Sequence, residues 1–133
     1  MSWVYSPSKA VKPQISAGVK TTVERQAQTL IDTVLKPKHI QPPPPDARFN
    51  YIVDIYSKWY RHYFYFCAQY ACPGPNALSP FFEAKFARLE CIDGRSRFNL
   101  AYMRYTGQWI EVYPDLSLAQ GLSAIKDDPL FQP

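Results

Sequence analysis

The chain is 133 residues long, 47% apolar and 16% aromatic, with fifteen Lys and Arg against eleven Asp and Glu and a net charge of +4. That length holds one domain with a real core and is short for two, and that apolar content argues against general disorder. No run approaches the roughly 18 uninterrupted apolar residues of a membrane span, and the opening MSWVYSPSKAVKP lacks the layout of a secretory signal. The sequence therefore predicts a soluble, cytoplasmic protein with no membrane partner.

The charge is uneven. Residues 1–50 carry seven Lys or Arg against three acids, residues 51–112 carry seven against five, and the last 21 residues are net −2. A basic balance permits association with nucleic acid without requiring it. Three cysteines, Cys67, Cys72 and Cys91, are an odd number, which speaks against a disulfide framework. With His62 they can be written as a Cys3His zinc set, but their spacing matches no zinc motif. Small buried apolar side chains is the favoured reading, and no metal or cofactor is expected.

In chain order, residues 1–16 read as an N-terminal arm holding Trp3, Tyr5, Pro7 and Pro13 without a period. A single domain over 17–133 follows. Val19, Val23, Ala27, Leu30, Ile31, Val34 and Leu35 recur at three- and four-residue steps, one face of an α-helix. Thr21 with Glu24 has the form of a capping box, with Ser16 as an alternative start a turn earlier. Lys36 and Lys38 suit the negative end of the helix dipole, and Pro37 is expected to end the helix near Lys36. Pro42–Pro45 then act as a stiff spacer.

Phe49 to Ala71, FNYIVDIYSKWYRHYFYFCAQYA, is the aromatic heart of the chain. It splits into two strands that turn somewhere in Ser57–Arg61. On the first, Phe49, Tyr51, Val53 and Ile55 are expected on one face and Asn50, Ile52, Asp54 and Tyr56 on the other. On the return, Tyr63, Tyr65, Cys67 and Gln69 alternate with Phe64, Phe66 and Ala68. A Pro- and Gly-rich loop (72–80) leads to a third strand, Phe81–Cys91. Asp93-Gly94 is the clearest hairpin turn; Arg97–Tyr105 and Gln108–Tyr113 are strands four and five, joined at Thr106-Gly107. Pro114 is expected to stop the sheet. Ser117 caps a short helix marked by Leu118, Leu122 and Ile125, after which Leu130 and Phe131 pin the tail. The fold class is α+β: a long N-terminal helix packed on a curved four- to five-stranded antiparallel sheet, with a short C-terminal helix.

The opening helix leading into a proline cluster, the strand FEAKFARLE, the strand LAYMRYTGQWIEVY and the closing LSLAQGLSAIKDDPLF together resemble a small bacterial family of uncharacterised domains of unknown function. The likeness runs from about Val19 to Phe131, and its most specific element is Met103-Arg104 with Trp109 on the next strand. This chain departs from the family in its longer, more aromatic first hairpin and its N-terminal arm. The resemblance implies the fold and carries no activity with it.

The chemistry is sparse. There is no phosphate-binding glycine loop, nucleophile elbow, H-E-x-x-H or EF-hand loop. His62 is the better base candidate of the two histidines, His39 having a capping or surface role. Asp54 with Glu83 or Glu111 are the possible carboxylate pairs, and Arg88 and Arg104 are as readily their cross-strand partners. An enzyme, or a small-ligand protein with a pocket between helix and sheet, is the least favoured reading. Lys58, Trp59, Tyr60, Arg61 and His62, followed by tyrosines, have the composition of a single-stranded nucleic-acid platform, with Arg95, Arg97 and Arg104 as a basic rim. The favoured reading is a non-catalytic protein-interaction or homodimerising module. A sheet aromatic on both faces holds more apolar surface than two helices on one side can cover. Candidate binding residues are Lys58, Trp59, Tyr60, Arg61, His62, Arg104 and Trp109.

Overall fold

The computed structural model describes residues 15–46, 48–92 and 96–133. The arm residues Trp3 and Tyr5, the Asp93-Gly94 turn and Arg95 lie outside them. Ser16, in extended backbone, accepts the Val19 N–H at 3.1 Å and caps α1 (Ala17–Leu30). Thr21 therefore lies inside the helix instead of opening it. Nor does the helix end near Lys36: it widens into a π turn (Ile31–Leu35) and resumes as α2 (Lys36–His39), with Pro37 inside. A proline in a regular α-helix lacks one N–H and drives its ring into the carbonyl four residues back. The wider turn, visible in the Lys36 N–H bonding the Ile31 carbonyl, shifts that ladder by one residue just ahead of Pro37. Lys36, Lys38 and His39 occupy the last turn, where the helix dipole favours cations.

Five strands follow: β1 (Tyr51–Tyr60), β2 (Tyr63–Ala71), β3 (Phe81–Cys91), β4 (Arg97–Met103) and β5 (Trp109–Ser117). Each pairs antiparallel with the next, giving the order β1-β2-β3-β4-β5, a simple meander. The first turn sits later than expected, at Arg61-His62, because Tyr60 still pairs with Tyr63. Two-residue hairpins of this kind need positive φ at the turn, and Arg61 supplies it at 56°. A register shift between Ile52 and Asp54 inserts Val53 as an extra residue. It breaks the expected alternation: Ile52 and Ile55 both pack toward the core, and Val53 and Ile55 do not share a face.

Pro114 does not stop the sheet. β5 is an edge strand, and the ladder skips from Leu100–Tyr113 to Phe98–Leu116. Pro114 and Asp115 sit in that irregularity, with Asp115 at φ 53° and its N–H bonded to Asn99 Oδ1 at 2.9 Å. A proline is tolerated where no ladder N–H is required. β4 is shorter than expected, ending at Met103 where the Arg104–Gln108 turn begins.

The core lies on one side of the sheet. Val23, Ala27, Leu30, Ile31 and Leu35 of the helix meet Phe64, Phe66 and Ala68 of β2, Ala87 and Leu89 of β3, and Phe98 and Leu100 of β4. α3 (Leu118–Asp127) opens with a full capping box, Ser117 with Gln120, and adds Leu118 and Ile125. Of the two tail residues only Phe131 is an anchor. It is fully buried in the 3-10 turn Pro129–Phe131, beside Tyr102 and Tyr113, while Leu130 remains 45% exposed.

Gly121 lets α3 approach the sheet. A Cβ there would sit 3.0 Å from Leu89 Cδ2, and Leu89 is itself fully buried. Gly121→Leu should therefore lower the unfolding free energy by about 1–3 kcal/mol through overpacking. Ala119→Leu, at an exposed position of the same helix, should stay within roughly 0.5 kcal/mol of the parent. Urea denaturation midpoints compare the two, and equal midpoints would contradict the close approach.

Candidate interaction surface on the open sheet face

Strand alternation sends a second set of side chains to the face opposite the core. One row crosses the sheet through Tyr65, Arg88, Ala101 and Glu111, each paired with the next. Beside it run Tyr60, Tyr63, Glu90 and Asn99 on one side, and Met103 with Trp109 on the other. Among the described residues every helix packs against the opposite face, where the core lies.

The open face is not a bare apolar patch. The Arg88 guanidinium lies 4.7 Å from the Tyr63 ring centroid and 5.0 Å from that of Trp109. Tyr65 and Trp109 rings are 5.7 Å apart, and Tyr63 and Tyr65 are 6.1 Å apart. Lys85 Nζ stands 5.6 Å from the Tyr65 centroid. Trp109 reaches from the edge strand across Ala101, whose methyl leaves room for it and is only 1% exposed. Each aromatic pair contributes about 0.5–1.5 kcal/mol beyond area burial, and each stacked cation about 0.5–2 kcal/mol according to desolvation. Arg88 makes no ion pair among the described residues, and its Nε is buried without a hydrogen-bond partner. Among the described residues its positive charge is held in place by rings alone.

Glu83 is the polar hub of the same face. Lys58 Nζ lies 2.8 Å from both its oxygens, Lys85 Nζ lies 3.3 Å from one, and the Tyr56 hydroxyl donates to it. The Lys58 bond, seconded by Tyr56, holds the Glu83 carboxyl down at about 2. Burial, then the bond to Glu83, raises the Tyr56 phenol above its ordinary range. Cys67, fully buried between these groups, is pushed up to about 11, by burial first and the Glu83 charge second. Cys67, Cys72 and Cys91 form no disulfide, and among the described residues no three His, Cys, Asp or Glu come together as a metal set.

The structure separates the Lys58–His62 run. Lys58 and Tyr60 point to the open face, Lys58 bound to Glu83 and Tyr60 exposed at the edge strand. Trp59 points to the helix side, edge-on to Phe64 at 4.9 Å with Lys20 5.7 Å above its ring. Arg61 is exposed on the turn over Tyr60, at 5.2 Å. His62 returns to the open face, 4.2 Å from the Tyr63 ring, with Nε2 3.3 Å from Glu90. Arg104 is exposed in the β4–β5 turn, 5.8 Å from the Tyr105 ring, and Trp109, on the edge strand, packs on Tyr65 and Arg88 of the open face. Of the rim residues, Arg97 is tied to Asp115 at 2.9 Å. The three candidate carboxylates face different surroundings: Asp54 turns to Lys36 at 3.5 Å, Glu83 to its lysines, and Glu111 to solvent.

Arg88 is the central residue that sequence reasoning treated only as a neutralising partner. The signal for it is short: in FARLE it lies between Ala87 and Leu89, two core residues, so a period of two aims it away from the core. Two surface clefts of about 580 Å³ lie elsewhere, one along the 72–79 loop beside Arg48 and Phe82, the other between Tyr113 and the outer side of α3. Neither sits between α1 and the sheet.

The Glu83 cluster sets an acid dependence. Its carboxyl titrates at about 2 folded against an ordinary 4.5, so its stabilisation is complete above 4.5 and is lost as pH falls toward 2. Glu83→Gln should cost about 1 kcal/mol at pH 7, and the gap from the parent should close as pH drops through that window. Urea midpoints at pH 7 and pH 2.5 measure it; an unchanged gap at low pH would contradict this assignment.

No curated protein and no solved structure matches the chain. A family model, Domain of unknown function (DUF3024), matches residues 15–133, which takes in both helical segments, all five strands and the closing 3-10 turn. The chain belongs to the DUF3024 family, whose members share a domain of unknown function.

Proposed function

We propose that this domain is a non-catalytic homodimerising module that meets a second copy through its open sheet face. One observation carries the reading: the face without helices presents Tyr63, Tyr65, Arg88, Met103 and Trp109 side by side. Tyrosine, tryptophan, arginine and methionine are the residue types enriched at protein interfaces. Rings already packed on one another lose little side-chain freedom when a partner covers them, which lowers the entropic cost of association.

Charge favours a second copy. The face carries Lys58, Lys85 and Arg88 against Glu83, Glu90 and Glu111, a balanced set that complements itself. A nucleic-acid backbone calls for a net-positive surface with free cations, whereas Lys58 and Lys85 are both engaged by Glu83.

Sedimentation velocity should show a monomer–dimer equilibrium in wild-type protein. Trp109→Ala and Tyr65→Ala should each weaken it at least about tenfold. Tyr105→Ala, 92% exposed in the turn, should leave it unchanged. A wild-type protein that stays monomeric at high concentration would overturn the reading.

A further inference from the structure

Two opposite charges on the open face have no ionic partner among the described residues. Arg88 makes no ion pair among the described residues, and Glu111, exposed on β5, makes neither an ion pair nor a hydrogen bond among them. They sit in one row on either side of Ala101, which pairs with both. Strand spacing puts each about 4.8 Å to its own side of Ala101. They do not meet within the chain, and the Trp109 indole is what lies against the guanidinium.

The geometry points to a reciprocal ion pair across a two-fold axis, Arg88 of each copy meeting Glu111 of the partner subunit; it rests on the homodimer reading above. Packing two sheets face to face places them about 10 Å apart with strands nearly aligned. A two-fold axis lying between the sheets, parallel to β4 and above Ala101, carries each point on one side of Ala101 to the facing point on the other. Arg88 then stands opposite Glu111 of the partner subunit, and Glu111 opposite Arg88 of the partner subunit, as an isologous interface requires. The stack of Tyr63 and Trp109 fixes the plane of the guanidinium, which suits it to a two-pronged bond with a carboxylate. The pair sets the register of the dimer, in which β3, β4 and β5 of each copy overlap, and Trp109 shields the guanidinium from water.

Charge exchange tests this. Arg88→Glu places four carboxylates and no arginine across the axis, and Glu111→Arg places four guanidinium groups there. Each single variant should dimerise at least tenfold more weakly than wild type by sedimentation velocity. The double variant Arg88→Glu/Glu111→Arg should return to within about threefold of wild type. An equimolar mixture of the two single variants should form a heterodimer, because every pair across that axis is again of opposite charge. If wild type dimerises and the single variants do so equally well, the pair is refuted while the dimer stands. If the singles are weak but neither the double variant nor the mixture recovers, the pair is refuted as well. A monomeric wild type refutes the dimer and the pair together. Should Arg88→Glu fail to fold by circular dichroism, Glu111→Arg alone decides: wild-type affinity refutes the pair, and a tenfold loss supports it.

Discussion

The register of β2 is the constraint on which the rest depends. Its odd positions, Tyr63, Tyr65 and Cys67, and its even positions, Phe64, Phe66 and Ala68, face opposite sides of the sheet. A slip of one residue against either neighbour would drive tyrosine hydroxyls into the helix-covered core and expose two phenylalanines. Each hydroxyl buried without a partner would cost about 1–3 kcal/mol. β2 has neighbours on both sides, so its choice of face fixes those of β1 and β3, and through β3 those of β4. Chemistry on the open face is thus set by packing on the closed one.

Four register shifts adjust this alternation to the core, one of them leaving Val112 extra between Glu111 and Tyr113 of β5. Val53 is extra in β1 and lets Ile52 and Ile55 both turn inward. Phe86 is extra in β3, where the ladder passes from Ala87 to Lys85. Phe86 and Ala87 are therefore both buried, while Lys85 stays on the open face near Tyr65 and Glu83. The Pro114–Asp115 break on the edge strand closes the β5 end, just before the Ser117 cap starts α3. In the helix, the π turn before Pro37 plays a similar part and carries the chain on to His39. Each adds or shifts a single residue where a strict period would have misplaced an apolar side chain.

The open face is stabilised from within by two local assemblies of different kinds. Glu83 gathers Lys58, Lys85 and Tyr56 into one polar cluster, and the Lys58 and Tyr56 bonds lower its pKa by favouring the ionised form. Arg88 instead packs against two rings, with no ion pair among the described residues. On one surface, the ion-paired cluster and the ring-packed cation thus hold their charges by different means. Exposed apolar side chains Leu78, Phe81 and Phe82 lie at or beside the 72–80 loop.

The sequence by itself determined the element order, the α+β class, the inward face of α1, the alternation of β2 and the cap at Ser117. These follow from local signals, the 3.6 and 2.0 periods and capping chemistry, which operate over a few residues. It did not determine where β1 turns, that Pro37 and Pro114 are tolerated, or that Trp59 and Trp109 face opposite sides of the sheet. Those outcomes depend on cross-strand register and on single-residue bulges, which residues near in sequence do not encode. The stacking of Arg88 between Tyr63 and Trp109 is the clearest case. It joins β2, β3 and β5, and only tertiary structure decides which side chains from three strands converge, because contact among them requires the whole meander to be in register.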